Sequence, residues 1–160
     1  MRKMALWIST GLGLGYMPFA PGTFGTLWGV LLFYLFRNLS WITFSGLTLA
    51  SILIAIAASS LAEGELKTHD SSHIVIDEVV GYLVTVLVLP FNAFNAIAAF
   101  VLFRFFDILK PFPIRWVDRQ VGGGLGVVLD DVVAGLFANL VLRALLWGCH
   151  SYGISQCLAS

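Results

Sequence analysis

Two adjacent acidic pairs, Asp77-Glu78 and Asp130-Asp131, and one mixed-charge run, Arg104-Phe-Phe-Asp107-Ile-Leu-Lys110-Pro111-Phe-Pro113, are the residues best equipped for chemistry. Each pair opens an apolar block, so both are expected at helix N-termini, where carboxylates cap free N–H groups and complement the helix dipole. Capping accounts for one such pair; two pairs at two entry points on the same side point to a shared site. Neighbouring helical residues diverge by about 100°, so one member of each pair faces the centre while the other caps or holds a neighbour. Arg104, Asp107 and Lys110 fall at i, i+3 and i+6, one slowly drifting helix face. Pro111 then pushes Lys110 toward extended backbone. Arginine clamps two phosphate oxygens and lysine adds a point charge, which suits phosphate binding; the plainer alternative is a basic anchor snorkelling to lipid headgroups. Asp77, Glu78, Asp107, Asp130 and Asp131 repel one another unless cations balance them. Oxygen-only, thiol-free ligation suits Mg²⁺, which combines one or two carboxylates with substrate phosphate oxygens, so metal dependence is expected.

The elements that position these residues are apolar. Of 160 residues, 59% are hydrophobic and 11% charged, with a mean hydropathy of +0.92. A soluble domain carries about 25% charged residues, and one core of this size cannot absorb the excess apolar surface. Lipid is the second solvent this implies. The formal net charge of zero leaves no basic patch for nucleic acid. Charged residues divide the chain into apolar blocks at Phe24–Phe36, Trp41–Leu61, Ile74–Pro90, Phe91–Phe106 and Val132–Gly148, with polar stretches at Glu63–His73 and Asp107–Asp131. The expected fold is all-α, a multi-pass helical membrane protein of four to five membrane helices in one domain, residues 1–160. Phe24–Phe36 is too short to cross a hydrocarbon core of about 30 Å unless it borrows the glycine-rich stretch before it as a broken or re-entrant half. The basic start Arg2-Lys3 resembles a signal peptide, but Gly11, Gly13, Gly15, Pro18, Pro21 and Gly22 interrupt the apolar run, and the segment is expected to be retained.

With five passes and a cytoplasmic N-terminus, Arg2, Lys3, Lys67, Lys110, Arg115 and Arg119 fall on the cytoplasmic side, with Arg104 just inside it. Arg37 alone faces outward and Arg143 lies within the last span, as the positive-inside rule requires. The same threading places Glu63, Glu65, Asp70, Asp77, Glu78, Asp107, Asp118, Asp130 and Asp131 on or near the cytoplasmic face. That asymmetry reads as a one-sided polar site.

Other features carry less. The glycines at 11–15, Pro21-Gly22-Thr23 and Gly122-Gly123-Gly124-Leu-Gly126 could offer backbone N–H groups to phosphate, but lack a P-loop lysine; tight turns and close helix packing explain them as well. His69 and His73 are read as solvated rather than metal-binding, and Cys149 and Cys157 as incidental tail residues without ligand spacing. An ion or small-solute transporter would also use buried acids and broken helices, but would place them near the midplane. A scaffold would leave the acids unexplained. A Mg²⁺-dependent transferase of CDP-linked lipids would show a different aspartate spacing.

Four segments in order carry a family resemblance: Pro21–Thr26, Ile74–Gly81, Phe103–Ile114 and Gly123–Gly135. Over roughly residues 10–145 the chain resembles the phosphatidylglycerophosphatase A family of bacterial membrane enzymes. The resemblance implies an all-helical enzyme that removes the terminal phosphate of phosphatidylglycerophosphate with Mg²⁺ at the cytoplasmic face of the inner membrane. It implies catalytic roles for Asp77, Asp107, Asp130 and Asp131, metal ligation by Asp77, Glu78 and Asp131, and substrate contacts from Arg104, Lys110 and Thr23. The chemistry expected is metal-assisted phosphoryl transfer. Whether the attacking oxygen belongs to water or to an aspartate is open at this level, as is the oligomeric state.

Overall fold

The computed structural model describes residues 2–66 and 73–151. Lys67, His69, Asp70 and Cys157 lie outside the described residues, as do the side chains of Glu63 and Glu65. Among the described residues there are seven α-helices and no strand: α1 (Arg2–Ser9), α2 (Pro21–Leu35), α3 (Trp41–Leu66), α4 (Ile76–Thr85), α5 (Ala93–Leu109), α6 (Ile114–Gln120) and α7 (Gly123–Ser151), with one 3-10 turn at Leu14–Tyr16. The all-α expectation therefore holds.

Helix α7 is the central post, packed against α3, α4, α5 and α6. Helix α4 is sandwiched between it and α2. Close approach depends on two glycines. A Cβ at Gly135 would collide with the Gly81 carbonyl, and one at Gly81 would meet the Phe103 ring and the Asp131 carbonyl. Small residues let the α4 and α7 backbones touch. Phe33, Leu83, Phe103, Ala138 and Leu142 fill the core around Tyr82. The Tyr82 hydroxyl donates to the Ala96 carbonyl at 3.1 Å, so its burial leaves no orphaned donor.

Two helices, α3 over Trp41–Ala62 and all of α7, are long and apolar enough to cross a membrane; only 28% of the α3 stretch is buried within the protein. Leu49, Leu53 and Ile54 on α3, Ile97 and Val101 on α5, and Leu140 and Leu145 on α7 face outward. Helix α2, at 15 residues, reaches about 22 Å and starts inside the glycine-rich stretch rather than at Phe24.

Three expectations about the elements are corrected. The block Ile74–Pro90 is not one helix: α4 stops at Thr85 after 10 residues, about 15 Å. Val88 takes a left-handed φ of 56°. The carbonyls freed there find side-chain donors on α7: Asn139 Nδ2 donates to Thr85 O (2.7 Å) and Leu87 O (3.1 Å), and Arg143 Nη2 donates to Leu87 O (2.8 Å) and Val88 O (3.2 Å). Helix α7 begins at Gly123, so Asp130-Asp131 lie about two turns inside it rather than at its N-terminus. The glycines that argue against helix on propensity allow contact instead, since a Cβ on Gly124 would strike the Ser60 backbone. The polar stretch between α5 and α7 also contains a helix of its own, α6, anchored by the fully buried Ile114.

Candidate functional site: a carboxylate cavity at one end of the bundle

The start of α2, the end of α5, α6 and the first turns of α4 and α7 meet around a cavity of about 300 Å³. Every acid whose side chain is described lines it: Asp77, Glu78, Asp107, Asp118, Asp130 and Asp131. Arg104 and Lys110 share the same walls. The one-sided gathering expected from the charge pattern is thus present for these residues.

The acids fall into two classes. Asp107 and Asp130 have cations. Arg104 Nη1 donates to Asp107 Oδ2 at 2.7 Å, the i, i+3 pair on one face of α5. Lys110 Nζ donates to Asp130 Oδ2 at 2.5 Å and to Asp118 Oδ1 at 2.7 Å. Lys110 is not extended as Pro111 would dictate. It caps α5 in the left-handed region, at φ 42° and ψ 58°, with its N–H on the Phe106 carbonyl. A non-glycine residue there costs about 1–2 kcal/mol, and the two ion pairs offset it. Burial opposes the charge on Lys110, but hydrogen bonds and charges from Asp118 and Asp130 outweigh it, so its pKa lies above the ordinary lysine value.

Asp77, Glu78 and Asp131 form the second class. One oxygen from each lies within 4.8 Å of the other two. Asp77 Oδ1, Glu78 Oε2 and Asp131 Oδ2 are buried with no hydrogen-bond partner. Asp130 separates the classes, since its Oδ1 accepts the Asp131 backbone N–H at 3.0 Å while Oδ2 takes Lys110. Buried carboxylates without a cation repel strongly. Three orphaned hard-oxygen donors, with no histidine or cysteine among the described residues of the cavity wall, fit a divalent cation of the Mg²⁺ or Ca²⁺ kind.

Gly22, in the first turn of α2, sets the closeness of that wall. A Cβ there would collide with Glu78 Oε1 and press on Arg104 Nη1 at 3.1 Å. Thr23 is half-buried and not among the cavity-lining residues; its N–H is bonded to the Ala20 carbonyl at 2.9 Å. Of the residues expected at a site, the structure brings together Asp77, Glu78, Arg104, Asp107, Lys110, Asp130 and Asp131, and leaves Thr23 at the edge. Asp118 and Gly22 are additions. Asp118 was visible as an acid on the right face, but nothing in the spacing tied it to Lys110. His73 is not solvated as expected: its ring stacks on Tyr16 with centroids 4.8 Å apart, and Nδ1 lies 2.9 Å from the Gly15 carbonyl. Cys149 is half-buried within α7 rather than in a tail.

These features define an all-helical protein with an acid-lined cavity at one end of its bundle. The chain belongs to the phosphatidylglycerophosphatase A family, whose model matches residues 7–146. It is 38% identical over 136 residues to the phosphatidylglycerophosphatase A of Escherichia coli, covering 84% of this chain and 79% of that one. It is 37% identical over 140 residues to the protein of the same name in Haemophilus influenzae, with 86% of each chain covered. A Bacteroides thetaiotaomicron protein provisionally named a phosphatidylinositol-3-phosphatase is 40% identical over 152 residues, covering 88% of this chain and 92% of that one. No solved structure matches. Family membership makes the chain a phosphatase of lipid metabolism.

Proposed function

We propose that this chain is a single membrane-embedded domain that converts phosphatidylglycerophosphate to phosphatidylglycerol and inorganic phosphate, using Mg²⁺, at the cytoplasmic face of the bacterial inner membrane. The observation that carries the reading is the Asp77, Glu78 and Asp131 trio, which can bring one carboxylate oxygen each within 4.8 Å of the others and in which each residue has a buried oxygen without a hydrogen-bond partner, in a chain of this family. The outward apolar faces of α3, α5 and α7 support embedding. Lys110, Arg115 and Arg119 at the cavity end, against Arg37 at the other, support a cytoplasmic site.

Asp77, Glu78 and Asp131 would hold the cation. Mg²⁺ bound there supplies charge neutralisation for the phosphate and a stronger nucleophile at neutral pH. Arg104 has five N–H donors and spends one on Asp107, so it retains donors for phosphate oxygens. Lys110 is held protonated by Asp118 and Asp130, which makes it a weak acid, and it acts by charge rather than by giving up its proton. Asp107 bonds Arg104 through Oδ2, and its other oxygen, Oδ1, would accept a proton from the attacking water. The water oxygen forms a bond to phosphorus as the phosphorus–oxygen bond to glycerol breaks, and the glycerol oxygen takes a proton from solvent water in the open cavity, to which Asp107 returns the proton it accepted. A site at the bundle end leaves the acyl chains in lipid while the headgroup enters the cavity.

The test is phosphate release by the purified protein in detergent, from phosphatidylglycerophosphate and from phosphatidic acid, with and without Mg²⁺. Mg²⁺-dependent release from the first lipid is expected. A folded protein that releases phosphate from neither lipid would overturn the reading and favour solute transport through a carboxylate-lined site.

A further inference from the structure

A second cavity of about 410 Å³ adjoins the first and shares one wall residue, Lys110. Its other walls are Pro111, Phe112, Arg115, Trp116, Arg119 and Gln120, from α6 and the turn before it. The carboxylate chemistry uses none of these six.

Arg115 and Arg119 are four residues apart on α6, hence on one helix face. Both are exposed, and neither makes an ion pair with any described carboxylate. Arg115 is nevertheless positioned: its Nη2 donates to the Leu109 carbonyl at 3.2 Å, at the end of α5. That leaves most of the guanidinium donors of both residues uncommitted. The same surface carries Phe112, 82% exposed, and Trp116, 57% exposed. Exposed aromatic rings beside arginines mark the headgroup level of a bilayer, the depth at which lipid phosphodiesters lie. Paired guanidinium groups are the side chains best shaped for phosphate oxygens.

The proposed substrate carries two phosphates, a terminal monoester and an inner diester, one glycerol unit apart. We propose that the Arg115–Arg119 cavity holds the inner phosphodiester of the substrate while the terminal phosphate occupies the carboxylate cavity, with Lys110 on the wall between them. The proposal rests on the phosphatase reading and deepens it. It makes α6 the element that selects a lipid with two phosphates over one with a lone monoester. A phosphodiester engaged there also fixes the direction in which the headgroup enters, with the glycerol linking the two cavities past Lys110.

The experiment uses the full chain in uncharged detergent micelles and compares it with an Arg115→Gln/Arg119→Gln variant of matched thermal stability. Kinetics are measured on phosphatidylglycerophosphate, with two soluble competitors: the deacylated substrate headgroup, which has both phosphates, and glycerol phosphate, which has only the monoester. The variant is expected to raise KM about tenfold or more, as loss of charge-assisted hydrogen bonds implies, with kcat within about twofold. Inhibition by the deacylated headgroup should weaken by a similar factor while inhibition by glycerol phosphate holds. The Arg115→Lys/Arg119→Lys variant should recover part of the loss. An unchanged KM overturns the proposal, as does equal weakening of both competitors. A KM effect that appears only when other anionic phospholipid is added to the micelles also overturns it, assigning the arginines to a neighbouring lipid. A wild-type protein with no activity on phosphatidylglycerophosphate would instead sink the phosphatase reading itself.

Discussion

The bundle has a cavity at each end, similar in size and opposite in chemistry. One, about 300 Å³, is lined by six acids and two cations. The other, about 230 Å³, is lined by Phe33, Phe36, Arg37, Leu39, Trp41, Phe44, Val88, Leu89, Pro90 and Phe91, without an acid. The charged groups near the second end have partners. Arg37 lies 4.1 Å over the Tyr34 ring and donates to the Tyr34 carbonyl. Arg143 is taken up by Asn139 and the broken end of α4. One neutral atom, Asn95 Oδ1, is unpartnered. At the first end three carboxylate oxygens are buried without partners. An orphaned neutral acceptor costs about 1–3 kcal/mol, whereas buried uncompensated charge costs several per group. Concavity does not distinguish the two ends; unpaid electrostatic cost does, and it is what a bound cation would relieve.

The largest effects should come from removing that charge. Asp77→Asn and Asp131→Asn are each expected to lower phosphate release about a thousandfold or more, measured at saturating Mg²⁺. A second readout separates binding from folding. Mg²⁺ should raise the thermal midpoint of the parent protein and leave that of Asp131→Asn unmoved, because only the intact trio gains from the ion. If Mg²⁺ shifts both alike, the trio is not the metal site.

Sequence reasoning reached the acids and the basic run because rare charges in an apolar chain stand out, and because positions of opposite helix direction can be threaded by charge alone. It did not reach the features decided by contact. Glycines 123, 124 and 126 argue against helix by propensity, yet α7 starts there because α3 lies against it. The apolar run through Val84–Val88 carries no mark of a helix end; the donors that permit one, Asn139 and Arg143, sit about fifty residues away in sequence. Lys110 was legible as a cation near phosphate chemistry but not as the link between Asp118 and Asp130, since its backbone defies the local rule set by Pro111.

Intermediate effects test whether the paired acids serve structure or reaction. Lys110→Met strands Asp130 and is expected to cost about 3 kcal/mol of stability, with activity falling about a hundredfold. Adding Asp130→Asn should restore most of the stability, seen by denaturant or thermal unfolding, without restoring turnover. Recovery of both would reduce the pair to a structural bridge. Gly22→Ala should leave the fold intact while displacing Glu78 and Arg104, with a loss of about ten- to a hundredfold in kcat, in line with a shift of about 1 Å at a reacting centre.

The smallest effect is expected at the opposite end, and it is the sharpest check on the comparison. Arg37 is exposed, rests on Tyr34 and, among the described residues, bonds only the carbonyl three residues before it. Its charge lies in solvent at the far end of α2 from Gly22, beyond the reach of a field screened over about 10 Å by ordinary salt. Arg37→Ala should therefore leave kcat and KM for phosphatidylglycerophosphate within about twofold, and leave the Mg²⁺-induced thermal shift unchanged. A tenfold loss in kcat would mean that the two ends communicate through α2 and its packing on α4. The broken end of α4 would then be a hinge between the cavities rather than a fixed stop.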